Sequence, residues 1–71
     1  MDNRKYIVWM KCEGAEGYFT GVKLTSTSRE VCVHPYRARA KVFDSKFDAM
    51  SMAASLKKTY RCVISWRIIE A

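Results

Sequence analysis

The sequence predicts an α+β domain with the element order β-β-β-α-β, in which a single antiparallel-rich sheet of about four strands packs one face against one helix. Short segments rich in β-branched and aromatic residues alternate with glycine-containing or polar turns, which is typical of strands. One longer segment, 46–58, consists of good helix formers. The 71 residues, 49% of them hydrophobic, suffice for one core. We therefore expect a single domain spanning 1–71.

The first two strands are predicted to form a hairpin. Residues 5–12 are rich in β-branched and aromatic side chains, as strands are. Residues 13–17 contain Gly14 and Gly17, which supply the positive φ angles of a hairpin loop. The return strand is expected at 18–24.

The third strand is expected at 31–43, after a polar turn at 25–30, with an interruption near Pro35 because proline cannot donate to a ladder. From Tyr36 to Phe43 basic and small apolar residues alternate, which is the period of a strand with two different faces.

The helix is predicted to begin after Asp44 or Ser45, either of which can serve as its N-cap, and to end near Lys58. Its apolar residues spread over a broad face, from Phe47 to Leu56. The final strand is expected at 60–69.

One helix covers one face of the sheet, so the more apolar side of each strand should lie beneath it. This rule assigns to the helix side Tyr6, Val8, Met10, Cys12, Tyr18, Val22, Leu24, Ala38, Ala40, Val42, Cys62, Ile64, Trp66 and Ile68. The opposite face then carries Lys5, Ile7, Trp9, Lys11, Phe19, Lys23, Arg37, Arg39, Lys41, Arg61, Val63 and Arg67. Every charged residue on that face is basic, and from it we take as candidate binding residues Trp9, Phe19, Lys23, Arg37, Arg39, Lys41, Arg61 and Arg67.

The charge distribution supports a working surface of this kind. The chain has 13 Lys and Arg against 7 Asp and Glu, a net charge of +6. Residues 1–34 hold 5 basic and 4 acidic side chains, whereas 35–71 hold 8 and 3, so the second part supplies +5. Such a face can bind nucleic-acid phosphates and stack bases, or anchor an acidic protein, or be a solvated face whose charges guard against aggregation. The residues leave all three open.

Other chemistry finds little support. Cys12, Cys32 and Cys62 are odd in number and widely spaced, which favours reduced thiols, and Cys32 with His34 lacks the close cysteine pair of a zinc site. Helix capping accounts for Asp44 and its neighbours. We predict no enzyme activity, no cofactor and no metal. No apolar run approaches the roughly 18 residues of a membrane span, and residues 1–5 lead into a strand, so we expect a cytoplasmic protein that does not bind membranes.

The residues Gly17-Tyr18-Phe19-Thr20-Gly21, followed by Val42-Phe43-Asp44-Ser45 and a helix containing Ala49 and Ala53, resemble the layout of small phage- and prophage-encoded bacterial proteins. That resemblance implies a host-takeover or counter-defence factor, such as an anti-CRISPR protein, that acts by binding in the bacterial host cytoplasm. The expected partner is a bacterial protein or protein–nucleic acid complex. The alternative is direct binding of DNA or RNA, and a homodimer remains open.

Overall fold

The computed structural model describes residues 4–24, 26 and 28–71. Four strands, a short 3₁₀ turn and one helix follow one another as β1 (Tyr6–Cys12), β2 (Ala15–Leu24), β3 (Arg29–His34), the turn Arg37–Arg39, α1 (Lys46–Thr59) and β4 (Val63–Glu70). The predicted α+β class and the order β-β-β-α-β are confirmed. The expected polar turn at 25–30 falls partly outside the described residues, as does the start of the segment that leads into β1.

The strands form one sheet in the order β3-β2-β1-β4, and each neighbouring pair is antiparallel. The central strand β1 pairs with β2 through Trp9 and Tyr18 and with β4 through Trp9 and Arg67. The helix α1 packs against β1 and β4. Only one side of the sheet is therefore covered by the helix.

The helix begins as predicted. Ser45 is its N-cap, and the Ser45 hydroxyl oxygen accepts a hydrogen bond from the Asp48 backbone N–H at 3.0 Å. Its buried side is narrower than expected: Ala49, Ala53 and Leu56 are buried, whereas Phe47 is 77% exposed. Because two of the three buried residues are alanines, the helix can lie close to the sheet.

The core lies between α1 and the sheet. It consists of Val8, Met10, Cys12, Phe19, Phe43, Ala49, Ala53, Leu56 and Val63. The Phe19 and Phe43 rings stack with 6.5 Å between their centroids. Among the described residues no helix is both long and apolar enough to cross a membrane.

The predicted faces of the second strand are wrong at its start. The turn between β1 and β2 consists of Glu13 and Gly14, so Cys12 pairs with Ala15 and shares its side of the sheet. Alternation then turns Phe19 into the core, where it is 1% exposed, and Tyr18 away from the helix.

Farther along β2 the pairing shifts between Phe19 and Gly21, and this β-bulge inserts one extra residue. Val22 pairs with Val31, which packs against the core, so Val22 lies on the helix side as predicted. In a regular strand Phe19 and Val22 would point to opposite sides of the sheet. The bulge between them lets both lie on the helix side.

The predicted third strand is too long. It ends at His34, before Pro35, and does not resume: Arg37–Arg39 form a 3₁₀ turn, and a single bridge pairs Phe43 with Tyr6. The expected helix-side positions Ala38 and Val42 are exposed.

The last strand begins at Val63 and is bulged near its start, opposite Lys11 and Cys12. The bulge reverses the predicted faces of two residues: Val63 is 4% exposed in the core, whereas Ile64 is 51% exposed. Beyond the bulge, Trp66 and Ile68 pack against the core, as predicted.

Candidate binding face

The side of the sheet opposite α1, here named the outer face, is organised around one row of side chains that crosses all four strands. His34 of β3 pairs with Tyr18 of β2, Tyr18 pairs with Trp9 of β1, and Trp9 pairs with Arg67 of β4. Directly paired residues of an antiparallel sheet point to the same side. Since Trp9 alternates with the core residues Val8 and Met10, the cross-strand row His34–Tyr18–Trp9–Arg67 lies on the outer face.

The centre of the row is a cation–π pair. The guanidinium carbon of Arg67 lies 4.9 Å from the centroid of the Trp9 ring. Trp9 and Tyr18 are half-buried, and Arg67 is exposed. The indole thus holds a charged, planar, multiply donating group at the surface, a geometry suited to carboxylates and phosphates.

The other end of the row adds an exposed aromatic ring. The Tyr36 backbone N–H donates to Nδ1 of His34 at 3.1 Å, and the two rings lie 5.1 Å apart. When neutral, His34 therefore carries its proton on Nε2. Tyr36 is 69% exposed, which extends the aromatic surface beyond β3.

A basic segment, residues 35–42, covers one end of the outer face. The Lys41 backbone N–H donates to the Phe19 carbonyl of β2 at 2.8 Å, and the Arg37 guanidinium donates to the Glu70 carbonyl of β4. These strands flank β1, and the bond to β4 is made by the Arg37 side chain, which therefore reaches across β1. Ile7 of β1 is 2% exposed although it points away from the helix.

The basic segment brings positive charge to the face without being a strand. Arg37, Arg39 and Lys41 are all exposed, and the Lys41 ammonium lies 5.9 Å from the centroid of the Phe43 ring. The prediction that these three residues share a regular strand face is wrong, because Pro35 is followed by a 3₁₀ turn.

The prediction that every charged residue on the outer face is basic is wrong. Glu16 pairs with Lys11, and Glu30 pairs with Lys23, so each acid faces a lysine across the strands. These pairs leave Arg67 and the basic segment as the cationic part of the face.

Two other basic residues, Lys5 and Arg4, form ion pairs with acidic side chains. Lys5 binds Asp44 at 2.7 Å, and the Lys5 ammonium holds the pKa of the Asp44 carboxyl below its usual value. Arg4 lies 3.5 Å from the Glu70 carboxylate. Within the described part of the chain, neither ion pair involves Arg67 or the basic segment.

The eight predicted binding residues thus separate into groups. Trp9 and Arg67 lie together in the row, and Arg37, Arg39 and Lys41 lie on the basic segment. The remaining three are elsewhere: Lys23 lies farther along β2, Arg61 lies in the turn before β4, and Phe19 is in the core. The prediction that Phe19 is an exposed anchor is wrong.

Sequence reasoning missed Tyr18 and His34. The signal for Tyr18 was the Glu13–Gly14 pair, because a two-residue turn sets Cys12 opposite Ala15, and counting outward sets Trp9 opposite Tyr18. His34 lies in the row only because β3 pairs with β2 in this register. No short turn between these strands indicates that register in the sequence.

Other candidate chemistry is weakly supported. No group of three or more His, Cys, Asp or Glu able to hold a metal ion occurs among residues 4–24, 26 and 28–71. Burial, and secondarily the neighbouring Cys62 thiol, raise the pKa of Cys12 and so disfavour its nucleophilic thiolate form.

Comparisons with known protein families, with curated proteins and with solved structures find no match to this chain. Function must therefore be inferred from the outer face itself.

Proposed function

We propose that this chain is a non-enzymatic binding protein whose outer face occupies an acidic surface of a macromolecular partner. The observation that carries the proposal is the cross-strand row, with Arg67 held over Trp9 at 4.9 Å. Trp, Tyr and Arg are the residues most enriched among those that dominate binding energy at protein interfaces. Here one of each lies side by side at the centre of one face.

The geometry lowers the cost of binding. Trp9 and Tyr18 are half-buried on neighbouring strands, so little rotamer freedom remains to be lost. Arg67 is oriented by the indole before any partner arrives. The net charge of +6 and the basic segment would steer an acidic partner toward this face.

An acidic protein surface fits this face better than a stacked nucleobase does. The Arg67 guanidinium already lies over the Trp9 ring, so a base could stack on that side of the indole only by displacing it. Carboxylates can instead bind the guanidinium where it is. In its narrowest form, the proposal is a phage-type inhibitor of a bacterial protein or protein–nucleic acid complex, as the resemblance in layout implies.

The alternative partner is DNA or RNA bound directly. One observation favours it: Arg37, Arg39 and Lys41 are exposed within five consecutive residues at one end of the outer face. Such a cluster can contact successive phosphates.

The primary test is capture from bacterial lysate by a tagged chain, with a charge reversal at the row. Arg67→Glu should abolish capture of a stoichiometric partner. Lys58→Glu is the matched control, since it makes the same charge change at an exposed position of α1, on the other side of the sheet. Equal capture by both variants, or equal loss, would contradict a binding site at the row.

Nuclease treatment and salt separate the two partner classes. A protein partner should remain bound after nuclease treatment. Direct nucleic-acid binding should weaken with salt at a log–log slope near −0.7 to −0.9 per phosphate neutralised, and an Arg37→Ala/Arg39→Ala double variant should make that slope shallower. A salt-independent signal, or no oligonucleotide binding at low salt, would eliminate the alternative.

A further inference from the structure

We infer that Cys12 and Cys62 form a reversible oxidation site, in which hydrogen peroxide converts two neighbouring thiols into a disulfide between the end of β1 and the turn before β4. Both cysteines are free thiols in the structure. The inference concerns one end of the β1–β4 pair and does not depend on the binding role proposed for the outer face.

The backbone brings the two cysteines close together. Cys12, the last residue of β1, pairs with Val63, the first residue of β4. The next N–H along the chain, that of Glu13, donates to the Cys62 carbonyl at 2.7 Å. A spacing of about 4.8 Å between strands and about 3.3 Å for one residue along them places the two cysteine Cα atoms about 6 Å apart. Disulfides join Cα atoms that are about 4.4–6.8 Å apart, so the backbone does not have to rearrange.

The two side chains also lie on the same side of the sheet. Cys12 is 8% exposed in the core beneath α1, and Cys62 packs against that core. Neighbouring residues of a regular strand would point to opposite sides, but Cys62 precedes β4, in a turn where the Val63 N–H donates to the Tyr60 carbonyl at 3.3 Å. Cys62 and Val63 therefore both face the core, and a side-chain hydrogen bond links the Cys12 and Cys62 thiols.

The surroundings give the two thiols different roles. Cys62 is partly exposed, so a molecule as small as hydrogen peroxide can reach its sulfur. Burial raises the pKa of the Cys12 thiol, which therefore reacts poorly with a dissolved oxidant. The contact of Cys12 with Cys62 makes the second step intramolecular, and such proximity compensates for a low thiolate fraction. Cys62 is thus the sulfur that is oxidised first, and Cys12 is the sulfur that then attacks it.

The reaction balances with hydrogen peroxide as the oxidant. The Cys62 sulfur attacks one peroxide oxygen and the O–O bond breaks, which gives a sulfenic acid and one water. The Cys12 sulfur then attacks the Cys62 sulfur, so that the S–S bond forms, the S–O bond breaks, and hydroxide leaves with the Cys12 proton as a second water. The two thiols together lose two electrons and two protons. A dithiol reductant reverses the change by thiol–disulfide exchange.

The third cysteine is an internal control. Cys32 lies on β3, which is separated from β1 by β2, and its cross-strand partner is Gly21. It is partly exposed, as Cys62 is, and its thiol donates to the Glu30 carbonyl at 3.8 Å. Cys32 therefore resembles Cys62 in exposure but lies two strands away from Cys12.

The disulfide would change the stability of the domain. It would link residues 12 and 62 and so close a loop that contains most of the chain. A crosslink stabilises a fold mainly by restricting the unfolded chain, and the effect grows with the length of the loop. We expect the oxidised chain to melt roughly 10 °C or more above the reduced chain. Peroxide would therefore convert the domain to a more stable form that has the same sheet.

Mass spectrometry of the full chain tests the site, because trypsin separates the three cysteines. Cleavage after Lys and Arg leaves them in the peptides 12–23, 30–37 and 62–67. After treatment with hydrogen peroxide and alkylation of the remaining thiols, peptides 12–23 and 62–67 should be joined, and peptide 30–37 should be alkylated. Dithiothreitol should release the joined peptides. A disulfide that includes Cys32, a disulfide between two chains on a non-reducing gel, or sulfinic acid at Cys62 without a disulfide would overturn the inference.

Thermal unfolding with and without peroxide measures the consequence. The wild-type chain and Cys32→Ser should both show the higher melting temperature after oxidation, whereas Cys62→Ser should show no increase. Cys62→Ser replaces a partly exposed side chain by one of similar size, and its melting temperature under reducing conditions checks that the fold is retained. A wild-type chain that keeps free thiols in peroxide, or an equal increase in Cys62→Ser, would refute the site. Cys62→Ser leaves the cross-strand row intact, so loss of the disulfide and loss of partner capture are read separately.

Discussion

Replacing Phe19 with alanine tests whether its ring lies in the core, as the structure has it, or on the outer face, as the sequence predicts. Phe19 is 1% exposed and stacks on Phe43. Removing a buried phenylalanine ring costs about 3–5 kcal/mol of unfolding free energy. A 71-residue domain has roughly 4–11 kcal/mol in total at the usual stability per residue. Phe19→Ala should therefore remove a large part of the stability and leave a measurable unfolded population at low urea.

Urea unfolding followed by tryptophan fluorescence measures this loss, because Trp9 and Trp66 both lie on the sheet. Phe47→Ala is the matched control: it deletes the same ring at a helix position that is 77% exposed, and its effect should stay within about 0.5 kcal/mol. A Phe19→Ala variant whose unfolding midpoint matches that of Phe47→Ala would refute the buried placement of Phe19 and restore it to the outer face.

Two further predictions concern the close contact between Gly17 and the His34 backbone and the burial of the Cys12 thiol. A Cβ at Gly17 would lie 2.6 Å from the His34 carbonyl oxygen, a backbone atom that cannot rotate away, so Gly17→Ala should destabilise the fold by more than about 1 kcal/mol in urea. A wild-type midpoint would contradict that contact. Burial and Cys62 raise the pKa of Cys12 above that of a free thiol, so the unfolded chain ionises first and the melting temperature should fall as the pH rises through the range in which free thiols ionise. Cys12→Ala should weaken this pH dependence, and an identical pH profile in both chains would exclude Cys12 as its source.

Much of the architecture could be predicted because its signals are local. Asp44 and Ser45, ahead of a run of helix formers, were the two predicted N-cap residues, and the structure selects Ser45, whose cap bond to the Asp48 N–H spans three residues. Pro35 predicted an interruption of the third strand for an equally local reason, the missing donor, although the strand does not resume after it as expected. These features depend on neighbouring residues and follow from reading them in order.

The faces of the strands could be predicted only in part. Alternation correctly placed Trp9 and Arg67 on the outer face and Trp66 on the helix side. It failed at Phe19 and at Val63, because strand pairing reversed the expected side of each, and near Val63 a bulge adds a residue.

The sequence by itself therefore determined the order of the elements, the start of the helix to within one residue, an interruption near Pro35 and the excess of positive charge in residues 35–71. Tertiary structure alone decided that the Arg37 side chain reaches across β1 to β4 and that His34, Tyr18, Trp9 and Arg67 share one row. The physical reason is that side-chain periodicity repeats within a strand, whereas the pairing register and the path of a non-strand segment depend on hydrogen bonds between residues far apart in the chain.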